Sequence, residues 1–349
     1  MKKKVYILLT ITICASHLSY GQDMRALASD LPPYFSILTE WGVRPDWDET
    51  SENTIFLNKL IGDVFKINLE TREITCLTSH FYHGGIFRAQ CLPNGDLLLA
   101  INNNIFDPKN PEKNRHTGLE LHILKKGWTT KPVSLGQFCD EGPAVSKKHM
   151  KIAWTLAGQR EIKMGDIIYK NGIPELENIR TVVSYADSGK YVRLESQDFR
   201  PPKDEELIYT HYWGDEKDQY HHSQVYGINL STSKITKYTD LQDSYNEAEG
   251  IFPDGNYMLI ESDRHQPLPE RNKYKLDIYK LKLDGSGEVE RLADFSTRYP
   301  GILRSDNPVV NNKGSLIAHQ YGYMDGAGDG RGIFILDLEA YKEYQMKNK

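Results

Sequence analysis

The sequence is poor in the features that decide chemistry outright. It has four cysteines in 349 residues, and their spacing fits no zinc template. It has no Gly-x-Ser-x-Gly, no Walker sequence and no His-Glu-x-x-His, so a serine hydrolase, a nucleotide-binding enzyme or a zincin has no motif behind it. Long apolar runs are also lacking. The one candidate, Val5 to Ala15, follows Lys2, Lys3 and Lys4 and precedes small and polar residues up to Ser19-Tyr20-Gly21. That layout is a secretory signal, too short for a membrane span. Residues 1–21 are therefore expected to be removed, leaving 22–349 as one domain. Cys14 sits in this segment, but Ile13 before it fits a lipobox poorly. No later segment is apolar enough to span a bilayer. A surplus of basic charge is missing too: removing residues 1–21 takes away three lysines and no acid, moving the formal charge from −5 to −8. An acidic, exported, periplasmic or secreted monomer is expected, with no affinity for nucleic acid. Cys76, Cys91 and Cys139 remain, and an odd number excludes a fully paired disulfide framework. A Cys76–Cys91 bridge stays open, with buried free thiols the simpler expectation.

What the chain does have is repetition. Trp47, Leu92, Val145, Phe199, Phe252 and Val310 each stand at a turn, at steps of 45, 53, 54, 53 and 58 residues. Each turn leads into a second apolar run, such as Leu97-Leu98-Leu99-Ala100 or Met258-Leu259-Ile260. A third run alternates at period two, as in Gln224 to Leu230 and Gly332 to Leu338, which argues for strands. A short fourth run follows a polar turn, as in Ile74 to Thr78 and Ile235 to Thr239. Four strands repeated at this period predict the blades of a β-propeller. The last repeat lacks a fourth strand, and Tyr34 to Thr39 looks like a fourth strand without its first three. An all-β ring of six four-stranded antiparallel blades is predicted, with the strand at about 34–39 closing the last blade. Residues 22–33 read as a short lead and 340–349 as a charged tail.

Two segments carry a family resemblance. Phe252-Pro253-Asp254-Gly255 precedes an apolar strand, and Arg44-Pro45-Asp46-Trp47 resembles the start of a Pro-x-Trp-Ser-Pro-Asp-Gly repeat. The chain thus resembles the TolB-like, or WD40-like PD40, propeller repeat family. Only the fifth repeat keeps Pro-Asp-Gly intact, and the N-terminal domain of TolB itself has no counterpart. The resemblance implies the fold and leaves the activity open, because this family includes scaffolds, binding proteins and lyases.

In a propeller the innermost strand of each blade lines the central channel. The polar residues ahead of each anchor should then converge: Arg44; Arg88 and Gln90; Glu141; Arg193, Glu195 and Gln197; Glu247 and Glu249; Arg304, Asp306 and Asn307. Such a ring is mutually paired, hydrated or occupied by a ligand. A second group leaves the second strands: His211 with Tyr212 and Trp213, Arg264 and His265, and His319 with Tyr321 and Tyr323. His83 lies before blade two. As catalytic candidates His83, His265, Arg264 and His319 stand out, with Arg264-His265 the strongest pair. As candidate ligands for a divalent metal, His211, His265 and His319 are joined by Asp325 and Asp329 of the Gly-rich loop 325–332. Trp213 and Tyr323 are candidates for stacking on a sugar ring.

Two functions follow. The first is a non-catalytic exported propeller that binds a glycan, peptide or envelope-protein partner at the channel mouth. The second is a uronate-directed polysaccharide or oligosaccharide lyase. The chain is also similar, more weakly, to oligogalacturonate-lyase-type propellers. That similarity implies His265 or His83 as the base and Arg44, Arg88 or Arg304 against the substrate carboxylate. The metal-ligand motif of those lyases has no match here.

Overall fold

The computed structural model describes residues 27–104, 118–141, 143–185, 191–216, 222–267, 275–299, 304–322 and 332–348. The period-two runs form strands. An N-terminal strand β1 (Phe35–Thr39) precedes blade 1, made of β2 (Val43–Trp47), β3 (Asn53–Leu57), β4 (Val64–Asn68) and β5 (Ile74–Cys76). Blade 2 is β6 (Ile86–Cys91), β7 (Leu97–Asn102), β8 (Leu119–Leu124) and β9 (Val133–Cys139). Blade 3 is β10 (Ala144–Val145), β11 (Lys151–Thr155), β12 (Glu161–Lys170) and β13 (Ile173–Ser184). Blade 4 is β14 (Val192–Phe199), β15 (Glu206–Trp213), β16 (His222–Asn229) and β17 (Ile235–Lys237). Blade 5 is β18 (Asn246–Ile251), β19 (Tyr257–Ser262), β20 (Asp277–Lys282) and β21 (Val289–Arg291). Blade 6 is β22 (Arg304–Val310), β23 (Leu316–Gly322) and β24 (Ile333–Asp337), with β1 as its outermost strand.

This is the six-bladed propeller read from the repeats, closed as expected. Phe35 pairs with Leu336, Ile37 with Phe334 and Thr39 with Ile333, so β1 covers the edge that β24 would otherwise expose. The inner strands β2, β6, β10, β14, β18 and β22 each lie beside the next, and β22 returns to β2.

Alternation explains how so many apolar residues are buried without one central core. On β15, Leu207 and Tyr209 pack toward blade 3 while Ile208 packs toward blade 5. On β7, Leu97 and Leu99 face blade 1, and Leu98 and Ala100 face blade 3. On β19, Leu259 faces blade 6, and Met258 and Ile260 face blade 4. Both faces of each blade are therefore core, and each such side chain contributes about 1.5–3 kcal/mol. Trp47 and Trp154 are buried in these layers. The turn at Pro253-Asp254-Gly255 requires its glycine: φ is +70°, and a Cβ there would lie 2.1 Å from the Pro201 carbonyl oxygen.

Polar cross-links join the blades near the axis. Asp46 accepts from the Cys91 amide at 2.7 Å, Asp198 from Ile251 at 3.1 Å, Glu261 from Asn307 at 2.6 Å and Gln320 from Arg44 at 2.6 Å. Cys76, Cys91 and Cys139 are free, the last two buried. Among the described residues no helix is long and apolar enough to cross a membrane.

The expected charged tail is instead a helix, Leu338–Lys347. Asp337 caps it by accepting from the Glu339 and Ala340 amides, satisfying two of the free donors at a helix start. Tyr341 and Tyr344, three residues apart, pack their rings 5.1 and 5.2 Å from Tyr34. The charged pair Lys342-Glu343 between them obscured this one-sided apolar spacing. Residues 27–30 of the lead form a helical turn, and Leu27 is buried against blades 5 and 6.

Candidate functional site

Period-two alternation also aims the polar residues of the inner strands. On β14, Leu194 enters the core between blades 3 and 4, so Arg193, Glu195 and Gln197 face the other way, to the axis. On β18, Ala248 enters the core between blades 4 and 5, so Glu247 and Glu249 do the same.

These side chains meet in one network. Arg88 Nη2 lies 3.3 Å from Glu195 Oε1, and the Tyr212 hydroxyl donates to Glu195 Oε2 at 3.1 Å. The Arg193 guanidinium stands 4.5 Å over the Tyr212 ring. Tyr245 donates to Glu247. Arg304 pairs with Asp306 and lies 3.8 Å from Glu261. Asn307 donates to Glu261 through its amide and, at 3.3 Å, through its side chain. One carboxylate oxygen each from Glu247, Glu249 and Glu261 lie within 4.8 Å of one another.

The balance of charge is acidic. Among the described residues, Glu141, Glu195, Glu247, Glu249, Glu261 and Asp306 interact with the three guanidinium groups of Arg88, Arg193 and Arg304. Burial, then Glu247 and Glu141, raise Glu195 to about 7 against the pull of Arg88 and Arg193. Burial, then Glu247 and Asp306, raise Glu261 to about 8 against Arg304 and the Asn307 amide. Burial, then Glu261 and Glu247, hold Glu249 well above the carboxylate range.

Beyond Glu249 the channel continues to a cavity of about 70 Å³ lined by residues of all six blades, including Arg44, Arg88, Gln90, Lys147, Gln197, Glu249 and Val309. Arg44 donates to the Phe87 carbonyl at 3.1 Å with its guanidinium 3.9 Å over the Phe87 ring. Lys147 donates to both Asp46 oxygens at 2.8 Å.

The second group of candidates does not assemble. His83 Nε2 lies 3.1 Å from Asp63 and its Nδ1 accepts from the Gly85 amide, which ties it into the connection between blades 1 and 2. His265, 7% exposed, has Nε2 3.0 Å from Ser296 Oγ and Nδ1 3.4 Å from Asp277, and Asp277 also takes Arg291 and the Ser296 amide. Arg264 donates to Asn246 at 2.7 Å and to Ser262. His211 is half-buried on β15 against Tyr185 and Trp213, and burial lowers its basicity. Trp213 packs toward His211 and His222.

His319 overturns its expected place at a loop mouth. It lies inside β23, fully buried, with Phe334 stacked 5.6 Å away and Phe295 and Phe35 at 5.5 and 5.7 Å. Burial lowers it to about 4. The strand simply runs four residues further than the apolar run Leu316-Ile317-Ala318 indicates, to Gly322, and that keeps His319 on a core face. Among the described residues, the only group of three or more His, Cys, Asp or Glu set to hold a metal is Glu247, Glu249 and Glu261; His211, His265 and His319 do not form one. Tyr323, Asp325 and Asp329 lie outside the described residues.

Glu261 and Tyr245 are the throat residues the repeat spacing misses. Glu261 belongs to a second strand, and it reaches the throat because it stands opposite Glu247 in the β18–β19 register. Its signal in the sequence is a lone acid ending the apolar run Met258-Leu259-Ile260.

No protein-family model and no curated protein matches the chain. Among solved structures it is similar to an oligogalacturonate lyase in complex with manganese, with a TM-score of 0.52 and 11% identity over 85% of this chain and 77% of that one. It is similar to the oligogalacturonate lyase of Vibrio parahaemolyticus, with a TM-score of 0.51 and 14% identity over 87% and 80%. TolB from Acinetobacter baumannii aligns with a TM-score of 0.44 and 14% identity over 82% and 64%. At these identities the likeness establishes the class, a six-bladed β-propeller, and not an activity.

Proposed function

We propose that the chain is an exported, periplasmic or secreted binding propeller that takes the positively charged part of a glycan, peptide or envelope-protein partner at its acidic channel mouth. The observation behind this reading is the committed state of the arginines. Arg88 faces Glu195, and Arg304 is held by Asp306 and Glu261, while the carboxylates of the throat outnumber the guanidinium groups around them. A buried surplus of carboxylates attracts cations and repels a uronate.

The lyase is the second reading, favoured by the fold likeness to two oligogalacturonate lyases, one of them a manganese complex. It asks for free cations beside the substrate carboxylate and an available base. The arginines of this throat are engaged, and both nitrogens of His265 face partners.

Calorimetric titration separates the two. Cationic probes, a lysine-rich peptide and a glucosamine oligomer, should bind saturably and come through unchanged. Galacturonate oligomers should neither bind nor yield unsaturated-uronate absorbance. Preference for the uronate, or any such absorbance, would reverse the order.

A further inference from the structure

We propose that Glu247, Glu249 and Glu261 hold a divalent cation of the hard, oxygen-seeking class (calcium, magnesium or manganese) in the channel throat. The inference rests on the acidic throat described above and not on the identity of any partner.

Three observations carry it. The first is geometric: one oxygen from each residue lies within 4.8 Å of the other two. A cation of this class binds oxygens at about 2.0–2.6 Å, so two oxygens on one coordination sphere stand at most about 4.0–5.2 Å apart, and the observed separation falls within that reach. The second is the state of Glu249. It is 7% exposed, and its Oε1 is buried with no hydrogen-bond partner. A carboxylate in that position costs several kcal/mol unless a cation or a proton meets it. Arg88 does not fill that role by contact, because its guanidinium is turned to Glu195. The third is that Glu261, fully buried, spends Oε1 on Asn307 and makes no hydrogen bond through Oε2, whose ion-pair contact is Arg304 Nη2 at 3.8 Å.

The outer groups suit the same purpose. Tyr245 donates to Glu247 and Asn307 to Glu261, and donors behind ligating carboxylates orient them. The donor set is all carboxylate, without histidine or cysteine, which selects against zinc and copper and for the hard cations. A dication would offset the charge of the clustered carboxylates, and water would complete the sphere.

The test uses manganese(II) alone with the mature chain, followed by electron paramagnetic resonance of the free ion. The six-line signal should fall with a stoichiometry of one per chain and return when calcium or magnesium is added in excess. Glu249→Gln and Glu261→Gln should each weaken binding at least about tenfold. Because Glu249 makes no hydrogen bond, Glu249→Gln should fold with unchanged or raised thermal stability, which keeps the test clear of misfolding. An undiminished signal at excess protein, or equal manganese binding by wild type and both variants, would overturn the site. Partner binding measured in a chelator tests the proposed function separately, so either can fail while the other stands.

Discussion

The two ends of the channel treat buried carboxylates in opposite ways. At one end Asp46, 4% exposed, takes both oxygens to Lys147 and a third bond from the Cys91 amide. At the other, Glu247, Glu249 and Glu261 crowd together with Arg304 only at the margin of the group. Both sets sit on or beside inner strands, and both face the axis. The first is complete within the chain, and its task is to bind blade 1 to blades 2 and 3. Among the described residues the second has no such set of partners, and the proposed cation would supply it. Carboxylates of one type and one location thus divide into structural and functional by whether the fold supplies their partners.

Breaking the complete end should have the largest effect. Lys147→Met leaves Asp46 buried and unpaired and should destabilise the protein by about 3–5 kcal/mol in urea unfolding. Adding Asp46→Asn should recover much of that loss, and a double variant no better than the single would show that Lys147 acts by packing instead.

A buried polar group kept neutral sharpens the contrast next. His319 is lowered to about 4 from an ordinary 6.5 by burial. Its folded form resists the proton that the unfolded chain accepts. Its contribution is therefore full above pH 6.5 and lost progressively as pH falls toward 4, by about 3 kcal/mol in total. Wild type should lose that much more than His319→Phe across this window in stability measured against pH; parallel curves would contradict it.

The smallest effect lies at the incomplete end. Burial favours the protonated form of Glu249 when no cation is present, so Glu249→Gln exchanges one neutral group for another without breaking a bond and should change stability in a chelator by no more than about 0.5 kcal/mol. A loss would place Glu249 with Asp46, as a carboxylate the fold satisfies.

The ring was legible because its signals are local. A turn, an apolar run and a period-two third strand recur at nearly one spacing, and each blade buries both faces against its neighbours. Glu195, Glu247 and Glu249 were legible as axial residues for the same reason: each stands a fixed few positions ahead of an anchor. Glu261 was not, since its place depends on the partner strand's register with Glu247. His319 was not, since the strand continues to Gly322 and carries it from a mouth into an aromatic core. Among the histidines on separate loops Arg264-His265 was the strongest pair in sequence, and their positions in different blades keep them apart.

By itself the sequence determined the number of blades, the strand that closes them and the polar, charged lining of the axis, because alternation and turn chemistry act over a few residues. Which carboxylates are paired and which stand open was decided only by the tertiary structure. The pairing joins Lys147 to Asp46, and Glu261 to Asn307, across blade boundaries, and no local pattern encodes which side chain a closed ring will bring within 3 Å of another.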